Sequence, residues 1–248
     1  MTEGLRIGHL TDLHLKGKPS RRERLVRGLE KARALGVHHL LLTGDLTSSG
    51  KPSQFLELAA CLSSWPSDRL TVIPGNHDEG SAFDQALLSG CLSRFLHTSK
   101  GVVRVGELRI LPVDTRFPRR ALAFKAVGLV GASQLGMIAS ELRTPGPILI
   151  AAHHGPQLHP MHLFDGMVDR KALIGLLESR EDVHVASGHD HRILDLGRVH
   201  VAASVAHHDD PLRTYLVRDG KITTEYKAGE RGNYFSLGGL RYLDGRGL

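Results

Sequence analysis

Five short apolar runs in this chain each end on a polar block of the same kind. Leu5–Leu10 leads into Asp12-Leu13-His14, and His39–Thr43 into Gly44-Asp45. Leu70–Ile73 leads into Pro74-Gly75-Asn76-His77-Asp78, Ile148–Ala152 into His153-His154, and Val183–Ala186 into Gly188-His189-Asp190-His191. Short apolar runs bounded by Gly and Pro read as buried strands. In open α/β sheets, ligands bind beyond the carboxyl ends of the strands. One polar block at a strand end is unremarkable, but five in the same relative position require a fold that gathers strand ends into one place.

The segments between these runs supply the rest of the layers. Arg22–Leu35 has helical periodicity through Leu25, Val26, Leu29 and Ala32 and stops at Gly36. Pro52–Leu62 reads as a helix with proline in its first turn. Phe83–Leu96, Ser133–Leu142 (Ser133 as N-cap) and Asp169–Leu177 are further expected helices. Val102–Val105 and Leu108–Val113 read as a hairpin around Gly106. Arg198–Ala203 and Arg213–Tyr226, turning at Asp219-Gly220, read as closing β structure. Strands alternate with helices first and hairpins dominate later, which predicts an α/β protein with mixed sheets. One domain is expected over residues 1–227. The extension 228–248 holds six Gly plus Tyr234, Phe235 and Tyr242, and is expected to pack on the body or on a partner subunit, which leaves a homo-oligomer open.

Composition narrows the function classes. At 248 residues, 41% hydrophobic and 23% charged, the chain is neither disordered nor a disulfide mini-scaffold. No apolar run approaches the roughly 20 residues of a membrane span. Met1-Thr2-Glu3-Gly4 runs straight into an apolar segment without a basic n-region, so no secretion signal is expected. Cys61 and Cys91 fit neither a thiolate zinc motif nor a redox pair, and reduced thiols in a cytoplasmic protein are the expectation. A net charge of +6 hints at anionic partners. Sixteen histidines against one Trp is the unusual count, and it matters because imidazole is the commonest metal ligand.

Asp12 and His14 stand two apart, as do His189 and His191, so in extended backbone each pair faces one site. Gly44, Gly75 and Gly188 suit tight turns and close backbone approach just before the polar residues. The donors are all oxygen and imidazole nitrogen, a set suited to Mn, Fe or Zn. Seven of them exceed one tetrahedral ion and fit two ions that share a carboxylate.

The ordered blocks D-x-H, GD, GNHD, H and GHxH, spanning residues 12 to 191, resemble the signature of calcineurin-like metallophosphoesterases. Leu111-Pro112-Val113-Asp114-Thr115, Gly128, Gln134-Leu135 and His153-His154-Gly155-Pro156 resemble the bacterial class III cyclic-nucleotide phosphodiesterase branch. The resemblance implies a four-layer α-β-β-α sandwich with two mixed β-sheets. It implies two transition-metal ions, one held by Asp12, His14, Asp45 and His191, the other by Asp45, Asn76, His153 and His189. It further implies hydrolysis of small phosphodiesters by in-line attack of a hydroxide held between the ions. His77, beside Asn76, is then free to protonate the leaving alkoxide, with Asp78 holding its ring.

Several residues carry competing readings. His154 is read either as a substrate contact or as support for the ligands. His9 is expected to pack beneath the pair. His38, His97, His184 and His200 are expected on the surface or on strand faces, and His207-His208-Asp209-Asp210 is expected to be a polar loop. The basic stretch Lys16–Arg27 is either a solvated face or a rim beside the first polar block, with Arg21 and Arg22 as candidate substrate contacts. Gly44–Lys51 fails as a phosphate loop because five residues separate Gly44 from Gly50 and Pro52 stands where Ser or Thr is needed. No G-x-S-x-G elbow is present. The expected partner is therefore a small phosphodiester. A nuclease or phosphomonoesterase on the same scaffold is the alternative, nucleic acid is not favoured, and a non-catalytic scaffold should have lost ligands.

Overall fold

The computed structural model describes residues 4–79, 81–97, 101–117, 126–157 and 166–225, and the 228–248 extension lies outside them. Two mixed sheets form the centre. The first has the order β11-β10-β1-β2-β3, built from β1 (Leu5–Leu10), β2 (His39–Thr43), β3 (Leu70–Ile73), β10 (Arg213–Arg218) and β11 (Lys221–Thr224). The second has the order β4-β5-β6-β7-β9-β8. Its strands are β4 (Val103–Val105), β5 (Leu108–Val113), β6 (Ile148–Ala152), β7 (Val183–Ser187), β8 (Leu194–Leu196) and β9 (Val199–Val201). Strands β1, β2 and β3 are parallel, as are β5, β6, β7 and β9, while hairpin partners close the edges antiparallel.

The layering follows from side-chain alternation along the strands. In β2, Leu40 and Leu42 pack toward helices α1 (Pro19–Ala34), α2 (Pro52–Cys61) and α3 (Ser81–Leu88) with Leu25, Leu29, Phe55, Leu58 and Phe83. Leu41, between them, joins Ile7, Ile110, Leu149, Ala151 and Tyr215 in the core between the sheets. In β6 the same alternation sends Ile148, Ile150 and Ala152 toward α4 (Gly131–Glu141) and α5 (Arg170–Glu178), meeting Ile138, Leu173 and Leu177. A strand covered on both faces must be apolar throughout, and β2, β3 and β6 are buried at every position. The architecture is the expected four-layer α-β-β-α sandwich.

Beyond shifts of one residue, three helix ends depart from the sequence reading. The first helix begins at Pro19, not Arg22, because proline at a first helical position needs no hydrogen-bond acceptor. The helix expected over Phe83–Leu96 occupies Ser81–Leu88 and then turns at Gly90, where a Cβ would collide with the α3 backbone. Ser133 is not the N-cap of α4. That helix starts at Gly131, and the Asp169 carboxylate accepts from the Val130 and Gly131 amides at 3.0 and 2.7 Å, so a distant residue caps it.

Candidate metal centre

The five polar blocks meet where β1, β2 and β3 of one sheet and β6 and β7 of the other end side by side. The loops leaving β1 and β2 run together: Asp12 N donates to the Gly44 carbonyl (3.0 Å) and His14 N to the Asp45 carbonyl (2.8 Å). Across the seam, His189 N donates to Asp12 Oδ2 at 3.0 Å, which ties the second sheet to the first.

Asp12 and His14 share one donor group as expected, whereas His189 and His191 divide between two, and neither pair is set by extended backbone. Asp12 (φ 53°), His14 (φ 44°), Asp45 (φ 48°), His189 (φ 71°) and His191 (φ 54°) are all left-handed. The only other non-glycine residue so placed among the described residues is Asp219, in the β10–β11 turn. Left-handed backbone costs about 1–2 kcal/mol per residue. Such strain collects at functional sites, where surrounding structure enforces it. Close packing adds to the constraint. A Cβ on Gly75 would lie 2.2 Å from Asp45 Oδ1, and one on Gly188 would lie 1.9 Å from Thr11 Oγ1 and 2.5 Å from Asp12 Oδ2.

Two groups of donors result. Asp12, His14, Asp45 and His191 bring ligand atoms within 4.8 Å of one another, and so do His153, His154 and His189. His14 Nε2 and His191 Nε2 are 3.1 Å apart. Asp12 Oδ1 is buried and makes no hydrogen bond, although His191 Nε2 stands 3.1 Å away and His14 Nε2 3.8 Å away. Asp45 lies between the groups, with Oδ2 3.5 Å from His14 Nε2 and Oδ1 3.3 Å from His153 Nε2. Asn76 Oδ1 is 3.1 Å from His153 Nε2, on the same side. Donor atoms gathered into two close groups, an orphaned buried carboxylate oxygen and an all-oxygen-and-nitrogen donor set fit bound cations. Hard or borderline ions such as Mn, Fe or Zn match that set.

Backbone groups fix the rings. His153 Nδ1 donates to the Thr43 carbonyl at 2.9 Å, leaving Nε2 facing Asp45. The single Thr11 hydroxyl proton is shared between Asp12 Oδ2 at 2.9 Å and the Thr43 carbonyl at 3.0 Å. The electrostatics show how strongly the site calls for positive charge. Burial works against ionising Asp12, yet His191 and His153 hold its carboxyl below the ordinary range. Burial likewise opposes charge on His153, but Asp45 and Asp12 push its imidazole up to about 10. His14, where burial prevails over Asp45 and Asp12, is pushed down to about 4.

His77 sits at the mouth of the site, with its side chain 45% exposed. Its Nδ1 faces the Ser48 carbonyl at 3.0 Å, and its Nε2 is 3.9 Å from Asp45 Oδ2. Asp78 does not hold this ring. Its carboxylate is fully buried and accepts from Gly75 N (2.9 Å), Leu46 N (2.9 Å), Thr47 N (2.8 Å) and Thr47 Oγ1 (2.8 Å), so it ties the β2 and β3 loops together. Burial and the neighbouring Asp45 push Asp78 up to about 6.

His154 is buried, with Nδ1 2.8 Å from Thr115 Oγ1 and its ring centre 4.4 Å from that of His189. Arg21 reaches inward: its Nη1 donates to the His14 carbonyl and to Ser48 Oγ (2.9 Å), pinning the two loops. Arg22 is exposed and lines a cavity beside them. The loop His207–Asp210 lies against the centre, with the His207 ring 5.2 Å from that of His191 and His208 Nε2 3.3 Å from the His191 carbonyl. Asp209 and Asp210 pair with Arg24, Arg27 and Lys31 of α1. Arg116, which no spacing in the sequence marks, donates to the Asp78 carbonyl (3.4 Å) and pairs with Asp114 and Asp84.

Residues 5–192 match the model of the calcineurin-like phosphoesterase family. A cAMP/cGMP dual specificity phosphodiesterase of Mycobacterium tuberculosis is 28% identical over 214 residues, covering 80% of this chain and 65% of that protein. A probable cyclic nucleotide phosphodiesterase of Rhodococcus erythropolis is 27% identical over 198 residues, covering 74% of this chain and 64% of that protein. The chain thus spans less than two thirds of the length of these two relatives. Among solved structures, a dimetal phosphatase from Danio rerio superposes with a TM-score of 0.65 at 15% identity, over 90% of this chain and 96% of that one. GAP50, titled the anchor in the inner membrane complex of Plasmodium, superposes with a TM-score of 0.67 at 12% identity, over 93% and 86%. At such identities the likeness is one of fold.

Proposed function

The chain belongs to the calcineurin-like phosphoesterase family, and we propose that within it this protein is a metal-dependent phosphodiesterase acting on small diesters, cyclic nucleotides foremost. The observation that carries this reading is Asp45, whose two oxygens each face a different imidazole group. One carboxylate can there serve two ions, the first with Asp12, His14 and His191 and the second with Asn76, His153 and His189. Ions bound there supply Lewis acidity at the phosphoryl oxygens and a nucleophile usable at neutral pH.

The chain's own groups do the rest. Asp12 and Asp45 together contribute two negative charges, fewer than two divalent ions carry, so an anionic diester is attracted to the centre. His77, held at Nδ1 by the Ser48 carbonyl, presents Nε2 to the mouth and can give a proton to the leaving oxygen. Asp78 and Arg116 keep the 75–78 loop in register with the β2 loop, and so place Asn76 and His77. No helix among the described residues is long and apolar enough to cross a membrane. Cys61 and Cys91 are unpaired thiols, which supports a reducing, cytoplasmic setting.

The test is a substrate panel with metal-loaded protein: 3′,5′-cyclic AMP and GMP, bis(p-nitrophenyl) phosphate, p-nitrophenyl phosphate and single-stranded DNA, beside elemental analysis. We expect two transition-metal ions per chain and a higher kcat/KM for the diester than for the monoester. A monoester preference would overturn the diesterase reading and leave the metal centre standing.

A further inference from the structure

We propose that His154 is a third imidazole ligand of the second metal ion, beside His153 and His189. The proposal rests on the two-ion phosphodiesterase reading and adds a donor to its second set, Asp45, Asn76, His153 and His189. One ring nitrogen of His154 lies within 4.8 Å of a ring nitrogen of His153 and of His189. The His154 ring centre is 4.8 Å from that of His153 and 4.4 Å from that of His189.

The two nitrogens of this ring are not treated alike. Nδ1 meets Thr115 Oγ1 at 2.8 Å, and the same oxygen accepts from the His154 amide at 3.2 Å. Nε2 is buried and closes no hydrogen bond among the described residues, although the Ala126 backbone stands close enough to act on the ring. A buried imidazole that only supports the fold pairs both nitrogens, as His9 does with Tyr215 and Thr43. A metal-ligating imidazole keeps one nitrogen on an oxygen and turns the other, without a proton, to the ion. His153 shows that division, with Nδ1 on the Thr43 carbonyl and Nε2 toward Asp45. At His154 the Thr115 hydroxyl takes the place of that carbonyl, so Nδ1 carries the proton and Nε2 the lone pair.

Local geometry is committed to this placement. Consecutive residues of a strand face opposite ways, but the chain bends directly after β6, and His153 and His154 bring their rings to one group. Gly128 makes room for the second ring, since a Cβ there would lie 2.5 Å from His154 Cβ. The Gly128 backbone is itself fixed, donating to the Gly166 carbonyl at 2.8 Å and accepting from the Val168 amide at 2.9 Å. A substrate contact needs access that His154 lacks: it is 1% exposed, against 45% for the His77 side chain at the mouth. A metal ion is small enough to be enclosed at that depth. Three imidazoles beside the shared carboxylate make the second group the more nitrogen-rich of the two, which suits Zn or Fe better than Mn.

The experiment uses the full chain loaded with zinc. A crystal structure of the wild-type protein, with the ions located by anomalous scattering, should place the second ion about 2.1 Å from His154 Nε2, to within about 0.2 Å. Competition against a chromogenic chelator then measures zinc affinity in wild type, His154→Gln and Thr115→Val. Removing a residue that acts only through a ligand costs about 10–100-fold in metal affinity, and Thr115→Val should fall in that range. His154→Gln should exceed it, weakening the second zinc by more than about 100-fold while the first stays nearly unchanged. A lost ligand lowers stability only when metal is bound, so metal-free wild type and His154→Gln should share one urea midpoint. A nitrogen–zinc separation above about 3 Å, or an affinity loss below about 100-fold, overturns the proposal. So does an equal loss of stability with and without metal, which would make His154 a structural residue. If His154→Gln fails to fold, the wild-type structure decides alone. Two bound ions with His154 apart from both would overturn the proposal and leave the phosphodiesterase reading standing. Coordination by His154 in a protein that hydrolyses no diester would do the reverse.

Discussion

Two regions of this molecule bury histidines beside carboxylates, and they differ in where the ring nitrogens point. Between the sheets, His9 places Nδ1 2.9 Å from the Tyr215 hydroxyl and Nε2 2.6 Å from Thr43 Oγ1. Nearby, His200 Nδ1 meets Asp195 at 2.7 Å, its Nε2 meets His184 Nδ1 at 2.9 Å, and Arg213 completes the pairing of Asp195. Every ring nitrogen of His9 and His200 has its own partner, and none of His9, His184, Asp195, His200, Arg213 or Tyr215 has left-handed backbone. At the strand ends, His14 and His191 point nitrogens at each other and Asp12 Oδ1 is left without a hydrogen bond. Burial and histidine content are common to both regions. Unshared satisfaction marks structure, whereas convergence on a common point over strained backbone marks a site that something else must complete.

The comparison breaks first at Asp45. Asp45→Ala should remove the carboxylate between the two groups, reduce bound metal from two ions toward none, and lower turnover by at least about 10³-fold, since both metal functions depend on it. Elemental analysis beside kcat decides, and a variant that keeps both ions would show that Asp45 is not shared. His77→Ala is the next largest. It should keep both metals and lower turnover about 10²–10⁴-fold on a cyclic nucleotide, with a much smaller loss on a nitrophenyl ester whose leaving group needs no proton. Equal losses on both substrates would put His77 among the structural histidines.

How far the sequence alone distinguishes the two regions depends on what each is made of. The strand-end blocks are legible because metal chemistry limits donor types and because each block follows a short apolar run. The burial of β2 and β6 on both faces was equally open to reading. The interior pairing of His9, His200 and Arg213 was not, since partners such as His9 and Tyr215 lie 206 positions apart and share no spacing rule. The same holds for the Thr43 carbonyl that orients His153, because backbone acceptors leave no trace in residue identity. Asp78 misled for a related reason. Adjacency to His77 suggested a contact, but consecutive residues in a turn face different ways, and the carboxylate went to loop amides instead. Of the i, i+2 pairs, Asp12 and His14 reach one donor group as expected while His189 and His191 divide between two, and the left-handed backbone that sets them is enforced only by the fold.

Tyr215→Phe tests the satisfied region. The hydroxyl it removes partners His9 Nδ1 in a fully buried setting. Leaving that nitrogen without a partner should cost about 1–3 kcal/mol in urea unfolding. Metal content and kcat/KM should be unchanged. A loss of bound metal would show that the two regions are coupled through Thr43 and not separable as drawn.

The smallest expected effect is on pH, and it belongs to His39, a buried strand residue whose Nε2 meets Thr71 Oγ1 at 2.8 Å. Burial pushes its imidazole down to about 4, against a weaker opposing pull from Asp68. The unfolded chain takes up a proton at this residue near its ordinary pKa of about 6.5, and the folded chain does not until about pH 4. Protons therefore favour the unfolded state across that window, so stability falls as pH falls below about 6.5 and the loss levels off near pH 4. His39→Gln keeps a polar group for Thr71 and removes the titration. Relative to the variant, wild-type protein should lose about 1 kcal/mol between pH 7 and pH 5.5, at roughly 1.4 kcal/mol per unit once below the unfolded pKa. Urea midpoints for both proteins at the two pH values provide the measurement. A gap between them that stays constant would mean that His39 takes up its proton in the fold at the same pH as in the unfolded chain, and that burial alone does not keep a histidine neutral in the satisfied region.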